Sequence, residues 1–125
     1  MKTSIFKFSD PKLIEISFDI NETFNKDNFE GFNIKNSVDK EINDNSTEGI
    51  VSLKLTIGER NSSYPFYIEI CNRAIFKCDD SNMFDKLIDT NAPALLLSYL
   101  RPIVSLLTSQ AGFPSFNLPF INFTE

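Results

Sequence analysis

From Asn91 to Thr124 the chain carries a single charged side chain, Arg101. So bare a stretch normally covers a core or another subunit, because soluble chains rarely leave large contiguous apolar surface in water. Its front part holds Leu95, Leu96, Leu97, Leu100, Ile103, Val104, Leu106 and Leu107. Arg101 lies at the centre of that run, where a charge costs on the order of 3 kcal/mol in a bilayer. Ser98, Pro102, Ser105, Thr108, Ser109 and Gln110 dilute the run further, so it does not read as a membrane span. The sequence predicts a helix buried on most sides, with Pro93 in its first turn, an end near Ala111, Gly112 as the stop and Pro114 just beyond. Pro102 lacks an N–H and its ring crowds the preceding turn, which predicts a kink or break near Ser98.

Ahead of this segment the apolar period drops to two. Ile14, Ile16, Phe18 and Ile20 alternate with Glu15, Ser17 and Asp19, the pattern of a strand with one apolar and one solvated face. Val51, Leu53, Leu55 and Ile57 alternate with Ser52, Lys54 and Thr56 in the same way. Phe66, Ile68 and Ile70 alternate with Tyr67, Glu69 and Cys71 after a turn-rich stretch containing Gly58, Asn61, Ser62, Ser63 and Pro65. Two strands joined by a short polar turn pair antiparallel, and Ala74 to Lys77 extends or follows that pairing. The segment from Asn21 to Gly49 is too long to be wholly structureless, and Phe32 to Val38 is expected to hold another short strand. The reading is a single α+β domain over residues 1–125: a four-stranded antiparallel sheet followed by one long helix, kinked or divided at Pro102, on one sheet face.

A chain of 125 residues, 42% hydrophobic and 23% charged, supports one domain with its own core. Twelve basic against 17 acidic residues give a net charge of -5, and no basic cluster is visible along the sequence. Nucleic acid and anionic membrane surfaces are therefore disfavoured as partners. The absence of His removes the commonest neutral-pH acid/base and metal ligand. Neither the Ser residues nor Cys71 and Cys78 then have a base partner, so no enzyme is expected. Gly31, Gly49, Gly58 and Gly112 stand alone and form no phosphate loop. The runs Asp39 to Asn45 and Asp79-Asp80 lack calcium-loop spacing, leaving neither cofactor nor metal expected. Met1 to Phe8 returns to charge before any apolar run of signal length, so a cytoplasmic chain with reduced thiols is expected.

Two groups of residues remain as candidates for function. Glu15, Asp19 and Glu69 share the polar faces of strands, either as solvated surface or as an acidic patch for a basic partner. Phe24, Phe29 and Phe32 lie in a segment rich in Asn, Asp and Lys, outside any clean strand period. They form either a miniature core or an apolar groove able to accept extended polypeptide.

The ordered motifs of the C-terminal third carry a family resemblance. Ala92-Pro93-Ala94-Leu95-Leu96-Leu97-Ser98-Tyr99-Leu100-Arg101 is followed by Gly112-Phe113-Pro114 and then by Leu118-Pro119-Phe120-Ile121-Asn122-Phe123. Together they resemble the helix and closing segment of SecB-family protein-export chaperones. The likeness reaches forward to Leu13-Ile14-Glu15-Ile16-Ser17-Phe18-Asp19 and to Phe66-Tyr67-Ile68-Glu69-Ile70, and so covers nearly the whole chain. It implies a dimer of dimers, a homotetramer whose helices pack between sheets, with Leu96, Tyr99, Leu100, Ile103 and Leu107 as packing residues. It also implies an ATP-independent holdase that takes unfolded preproteins into apolar grooves and delivers them for export. The matching groove positions are Phe29, Phe32, Ile34 and Phe66, to which Phe24 of the same loop is added as a groove candidate, and those for docking the motor SecA are Glu15, Asp19 and Glu69. The alternative is a dedicated chaperone of a toxin-antitoxin system, holding an antitoxin's apolar segment. The sequence departs from the family at Ser98, where Pro is usual, at Pro102, which often replaces an acidic residue, and at Phe120, which replaces Pro. It stops at Phe123-Thr124-Glu125 where export chaperones continue into a second helix and a tail, which implies a groove with one wall absent or more open.

Overall fold

The two-residue period at Val51 to Ile57 belongs to a strand, β4 (Glu48–Ile57), whose odd-numbered side chains point to one face of an antiparallel sheet. The computed structural model describes residues 6–123. Met1 to Ile5, and with them most of the N-terminal signal reading, lie outside the described residues. Four further strands are β1 (Phe6–Phe8), β2 (Lys12–Ile20), β3 (Ile34–Ile42) and β5 (Phe66–Cys78), and one helix follows, α1 (Ser81–Gln110). β5 is central: β4 pairs along one side of it with β3 beyond, while β1 and β2 share the other side. The sheet thus has five strands in four lateral positions, because a short strand not expected from the sequence, β1, precedes the expected first strand on the same side of β5, with a gap between Phe8 and Lys12. Pro11 has no N–H to give a ladder there. Ser9 bridges the gap, with its N–H donating to the Ile75 carbonyl and its Oγ accepting the Ile75 N–H.

The polar segment between the first two long strands contains β3, which is longer than expected and begins after Phe32. β3 turns into β4 through Asn43, whose Oδ1 accepts the N–H groups of Thr47 and Glu48. The turn from β4 to β5 requires a glycine at Gly58. Its φ is +77°, and an added Cβ would lie 2.5 Å from the Phe66 carbonyl oxygen.

The helix departs most from the sequence expectation. It starts at Ser81, capped by Asp80, whose carboxylate accepts the N–H groups of Asn82 and Met83. Pro93 is therefore an interior residue rather than a first-turn one. The helix also continues through Pro102 without a break. Each proline costs the carbonyl four residues earlier its partner. Those carbonyls belong to Asp89 and Ser98, which are exposed, so water can serve them. Every fourth residue from Phe84 through Ile88, Ala92, Leu96, Leu100 and Val104 to Thr108 is buried. Such a row winds slowly round a helix and suits one that crosses a twisted sheet. It packs on Val51, Leu53, Leu55 and Ile57 of β4 and on Ile68, Ile70, Ala74 and Phe76 of β5. By length and hydropathy alone this helix could cross a bilayer, yet its apolar row is spent on the sheet.

One polar side chain of the sheet enters this interface. Asn72 is buried on β5, and its Nδ2 donates to the Leu96 carbonyl at 3.0 Å while its Oδ1 has no partner. After the helix, Gly112 turns the chain back and residues 113–123 run over the end of the sheet. The Phe116 N–H donates to Thr108 Oγ1 at 2.9 Å, and Arg101 donates to the Pro119 carbonyl at 3.3 Å. Leu118 is buried in the same core.

Candidate functional site: an aromatic run, a paired acidic face and an open apolar edge

The loop after β2 is held by its own amides. The Asn21 side chain donates to the carbonyls of Asn61 and Tyr64, and the Asn25 N–H donates to the Ser62 carbonyl. Asn25 also caps a single 3-10 turn, Lys26–Asn28, so the loop lies against the turn between β4 and β5. This geometry joins the scattered phenylalanines. Ring centroids lie 5.8 Å apart for Phe24 and Phe29, 5.0 Å for Phe29 and Phe32, and 4.8 Å for Phe32 and Phe66. Most of these pairs are edge-to-face, and Phe32 stacks on Phe66, the arrangements aromatic pairs favour. Ile34 packs half-buried beside them.

The four phenylalanines and Ile34 singled out from the sequence are therefore neighbours. Sequence reasoning missed three rings that complete the run. Phe113 lies 5.0 Å from Phe66, Phe116 lies 4.9 Å from Phe32, and Phe18 lies 5.8 Å from Phe66. The signal for the first two was the closing segment itself, in which phenylalanine recurs without charge. Phe66 is fully enclosed, Phe24 and Phe32 are half-buried, and Phe29 reaches the surface.

On the sheet face away from the helix, Glu15 and Glu69 flank Lys54 at 3.2 and 2.6 Å, and Asp19 meets Arg60 at 2.9 Å. Arg60 in turn lies 4.0 Å over the ring of Tyr67. Hydrogen bonding to Lys54 holds the Glu69 carboxyl below its ordinary range, and bonds to Glu69 and then Glu15 raise Lys54 above its own. The three predicted carboxylates share one face as expected, but each is engaged by a cation of the same chain. Lys54 was visible in the polar half of its strand; that it sits between Glu15 and Glu69 follows from register. On the same face, desolvation pushes the Cys71 thiol up, and Cys71 and Cys78 are both free and buried.

The third surface is the apolar face of β2. Leu13, Ile14, Ile16 and Ile20 are exposed, Ile20 by 52%, and Phe8 continues the row from β1. The helix residues expected to pack between sheets divide. Leu96 and Leu100 are spent in the chain's own core, Ile103 and Leu107 are half-buried, and Tyr99 is exposed.

Among the described residues the sheet is thus open and antiparallel, backed by one long helix, with apolar side chains of its edge strand uncovered and Glu15, Asp19 and Glu69 tied in ion pairs. Comparison with known proteins places the chain further. The profile of the family described as preprotein translocase subunit SecB matches residues 13–125, and the chain belongs to that family. An uncharacterized protein of Methanocaldococcus jannaschii is 31% identical over 124 residues, covering 93% of this chain and 78% of its own. The protein-export protein SecB of Xanthomonas euvesicatoria pv. vesicatoria is 32% identical over 84 residues, 66% of this chain. That match spans only 49% of the Xanthomonas protein. Among solved structures, a SecB-like chaperone of Mycobacterium tuberculosis in complex with a ChAD peptide from the HigA1 antitoxin superposes with a TM-score of 0.70. The two share 12% identity, over 94% of this chain and 88% of that one. A Streptococcus agalactiae protein of unknown function superposes at 0.55 with 13% identity, over 95% and 100% of the two chains. The fold is thus that of SecB-like chaperones, and a chaperone role rests on the family rather than on a catalytic group.

Proposed function

We propose that this chain is an ATP-independent holdase that binds unfolded or extended polypeptide along the aromatic run. The observation that carries the reading is the continuous row of rings from exposed Phe29 through Phe32 to Phe66, in a member of the SecB family. Such a row offers area without demanding particular side chains, because main-chain contacts and apolar burial dominate the recognition of extended segments. In this reading the chain works in the cytoplasm as a homotetramer, with a second copy covering the apolar face of β2. Clients are preproteins, handed on through Glu15, Asp19 and Glu69 to a SecA-like motor. The ion pairs of those carboxylates mean that a docking motor must displace or share Lys54 and Arg60.

The test is light scattering from a chemically unfolded model client diluted into buffer. The wild-type chain is expected to suppress aggregation, and Phe24→Ser with Phe29→Ser to suppress it several-fold less. No suppression by folded wild type at stoichiometric excess would overturn the holdase reading.

A second reading is favoured by the Mycobacterium tuberculosis structure, in which a chaperone of this fold holds an antitoxin peptide. Here the chain serves one antitoxin's apolar segment. Pull-down from host lysate separates the two. Many precursors with a SecA-like motor, the latter lost on Glu15, Asp19 and Glu69 to Ala, support export. One small partner that survives the triple change supports the dedicated role.

A further inference from the structure

The end of β5 far from the aromatic run has an unusual register. Lys7 of β1 stands directly opposite Lys77, and Lys12 of β2 stands directly opposite Arg73. Arg73 and Lys77 are four residues apart on one strand, so all four cations share the sheet face turned away from the helix. Like charges facing each other across an antiparallel pair are unfavourable, and here two such pairs lie side by side in a chain of net charge -5. Of these four cations, only Lys77 has an acidic partner among the described residues, Glu48 at 3.3 Å, while Lys7, Lys12 and Arg73 are exposed with none. The cations come from opposite parts of the sequence, which is why no basic cluster shows along it.

Between the charges the face is apolar. Ile75 separates Arg73 from Lys77, its cross-strand partner is Ile50, and both are exposed. A depression of about 270 Å³ lies beside them, lined by Lys7, Phe8, Ser9, Ile75 and Lys77. Carboxylates border the corner without pairing with Lys7, Lys12 or Arg73: Glu48 already pairs with Lys77, Glu15 opposite Cys71 pairs with Lys54, Asp10 is exposed between β1 and β2, Asp79 lies at the end of the strand, and Asp39 and Glu41 stand on β3.

We propose that the corner formed by Lys7, Lys12, Arg73 and Lys77, with Ile50 and Ile75 between them, docks an acidic segment of a partner protein that sets an apolar side chain between its carboxylates. Charge complementarity selects an anion, and the two isoleucines with their depression select one with an apolar side chain, which a phosphate backbone lacks. A long polyanion is also disfavoured, since beyond this corner the chain is more negative than its net charge suggests. The corner lies outside the aromatic run, so it can hold a folded partner while a client is bound, and it does not depend on the holdase reading.

The test measures fluorescence anisotropy of a labelled peptide of alternating Glu and Asp around one central Leu, against the same peptide with Gln and Asn. The acidic peptide is expected to bind at least tenfold tighter, and to weaken on going from low salt to roughly 150 mM, where the Debye length is about 8 Å. Lys7→Glu with Lys12→Glu is expected to abolish the preference while leaving the thermal midpoint equal or higher, because each change turns a repulsive cross-strand pair into an attractive one. Lys7→Gln with Lys12→Gln is expected to weaken binding several-fold at unchanged midpoint, a milder pair should the reversal misfold. Equal binding of the two peptides by folded wild type would overturn the proposal. So would tighter binding of a single-stranded oligonucleotide or a phosphatidylglycerol vesicle, lost in the same variants. A fall in oligomer order on charge reversal, seen by sedimentation, would assign the corner instead to contact between copies.

Discussion

β4 and β2 read almost identically in the sequence and end in opposite surroundings. In both, four large apolar side chains alternate with polar ones. Val51, Leu53, Leu55 and Ile57 are wholly enclosed under the helix. Ile14, Ile16 and Ile20 lie 43 to 52% open, and only Phe18 finds cover, against Phe66. Alternation specifies that a strand has an apolar face; it does not specify what covers that face. The helix crosses β4 and β5, and β2 lies beyond its reach at the sheet edge. An edge strand with an apolar face is also where a sheet is most open to another chain, which is why the tetramer proposal puts a second copy there.

The largest effect that sharpens this comparison is a truncation in the enclosed strand. Leu55→Ala is expected to cost about 2–5 kcal/mol in urea denaturation, since it leaves a cavity between sheet and helix. Ile16→Ala is expected to cost under about 1 kcal/mol in dilute protein, because much of its side chain is already in water. If a second copy covers β2, that cost rises with protein concentration, whereas the Leu55→Ala cost does not. Equal losses at every concentration would break the comparison.

These two strands also mark what was legible. The alternating runs, their polar faces and the helix that follows could be read because burial on one side leaves a period of two or a charge-free stretch. The helix start could not, because the turns from Ser81 to Thr90 carry Asn82, Asp85, Lys86 and Asp89 on their outer side and look like a polar linker. Pro93 then imitated a beginning. The aromatic site was half legible. Phe24, Phe29 and Phe32 stood out against their polar neighbours, while Phe113 was read only as part of a Gly-Phe-Pro motif and Phe116 was not singled out. The engagement of Glu15 and Glu69 by Lys54, and the meeting of Lys7 with Lys77, depend on register between distant strands, which a single sequence does not contain.

A middle-sized effect is expected where the covered and uncovered regions meet. Phe32→Ala removes a ring that touches Phe29, Phe66 and Phe116, and is expected to cost roughly 3 kcal/mol, the low end for phenylalanine because the ring is half-buried. Phe29→Ala, at the exposed end of the run, is expected to cost about 1 kcal/mol and to act mainly on client binding. A smaller change is expected from Asn72→Leu under the helix. It removes one hydrogen bond to the Leu96 carbonyl but also the unpartnered Oδ1, so stability is expected within about 1 kcal/mol of wild type. A loss of several kcal/mol would mean that Asn72 fixes how the helix lies on β5.

The smallest effect concerns the opposite side of the same strands. β2 is uncovered on its apolar face but tied on its polar one, where Lys54 of β4 holds Glu15 of β2 and Glu69 of β5. The Glu69 pKa is lowered from its ordinary 4.5, foremost by its hydrogen bond with Lys54. Its contribution is therefore complete above about pH 4.5 and is lost as pH falls through the lowered value in the folded state. Lys54 is raised from 10.5, so its own contribution is complete below that pH and is lost only as pH rises through the higher folded value. Thermal midpoints of wild type should then decline on the acid side beginning near pH 4.5, and Glu69→Gln should flatten that limb while leaving the Leu55→Ala loss unchanged. An acid limb identical in wild type and Glu69→Gln would show that the Lys54–Glu69 bridge between β4 and β5 does not hold in solution, leaving Glu15 of β2 as the partner of Lys54.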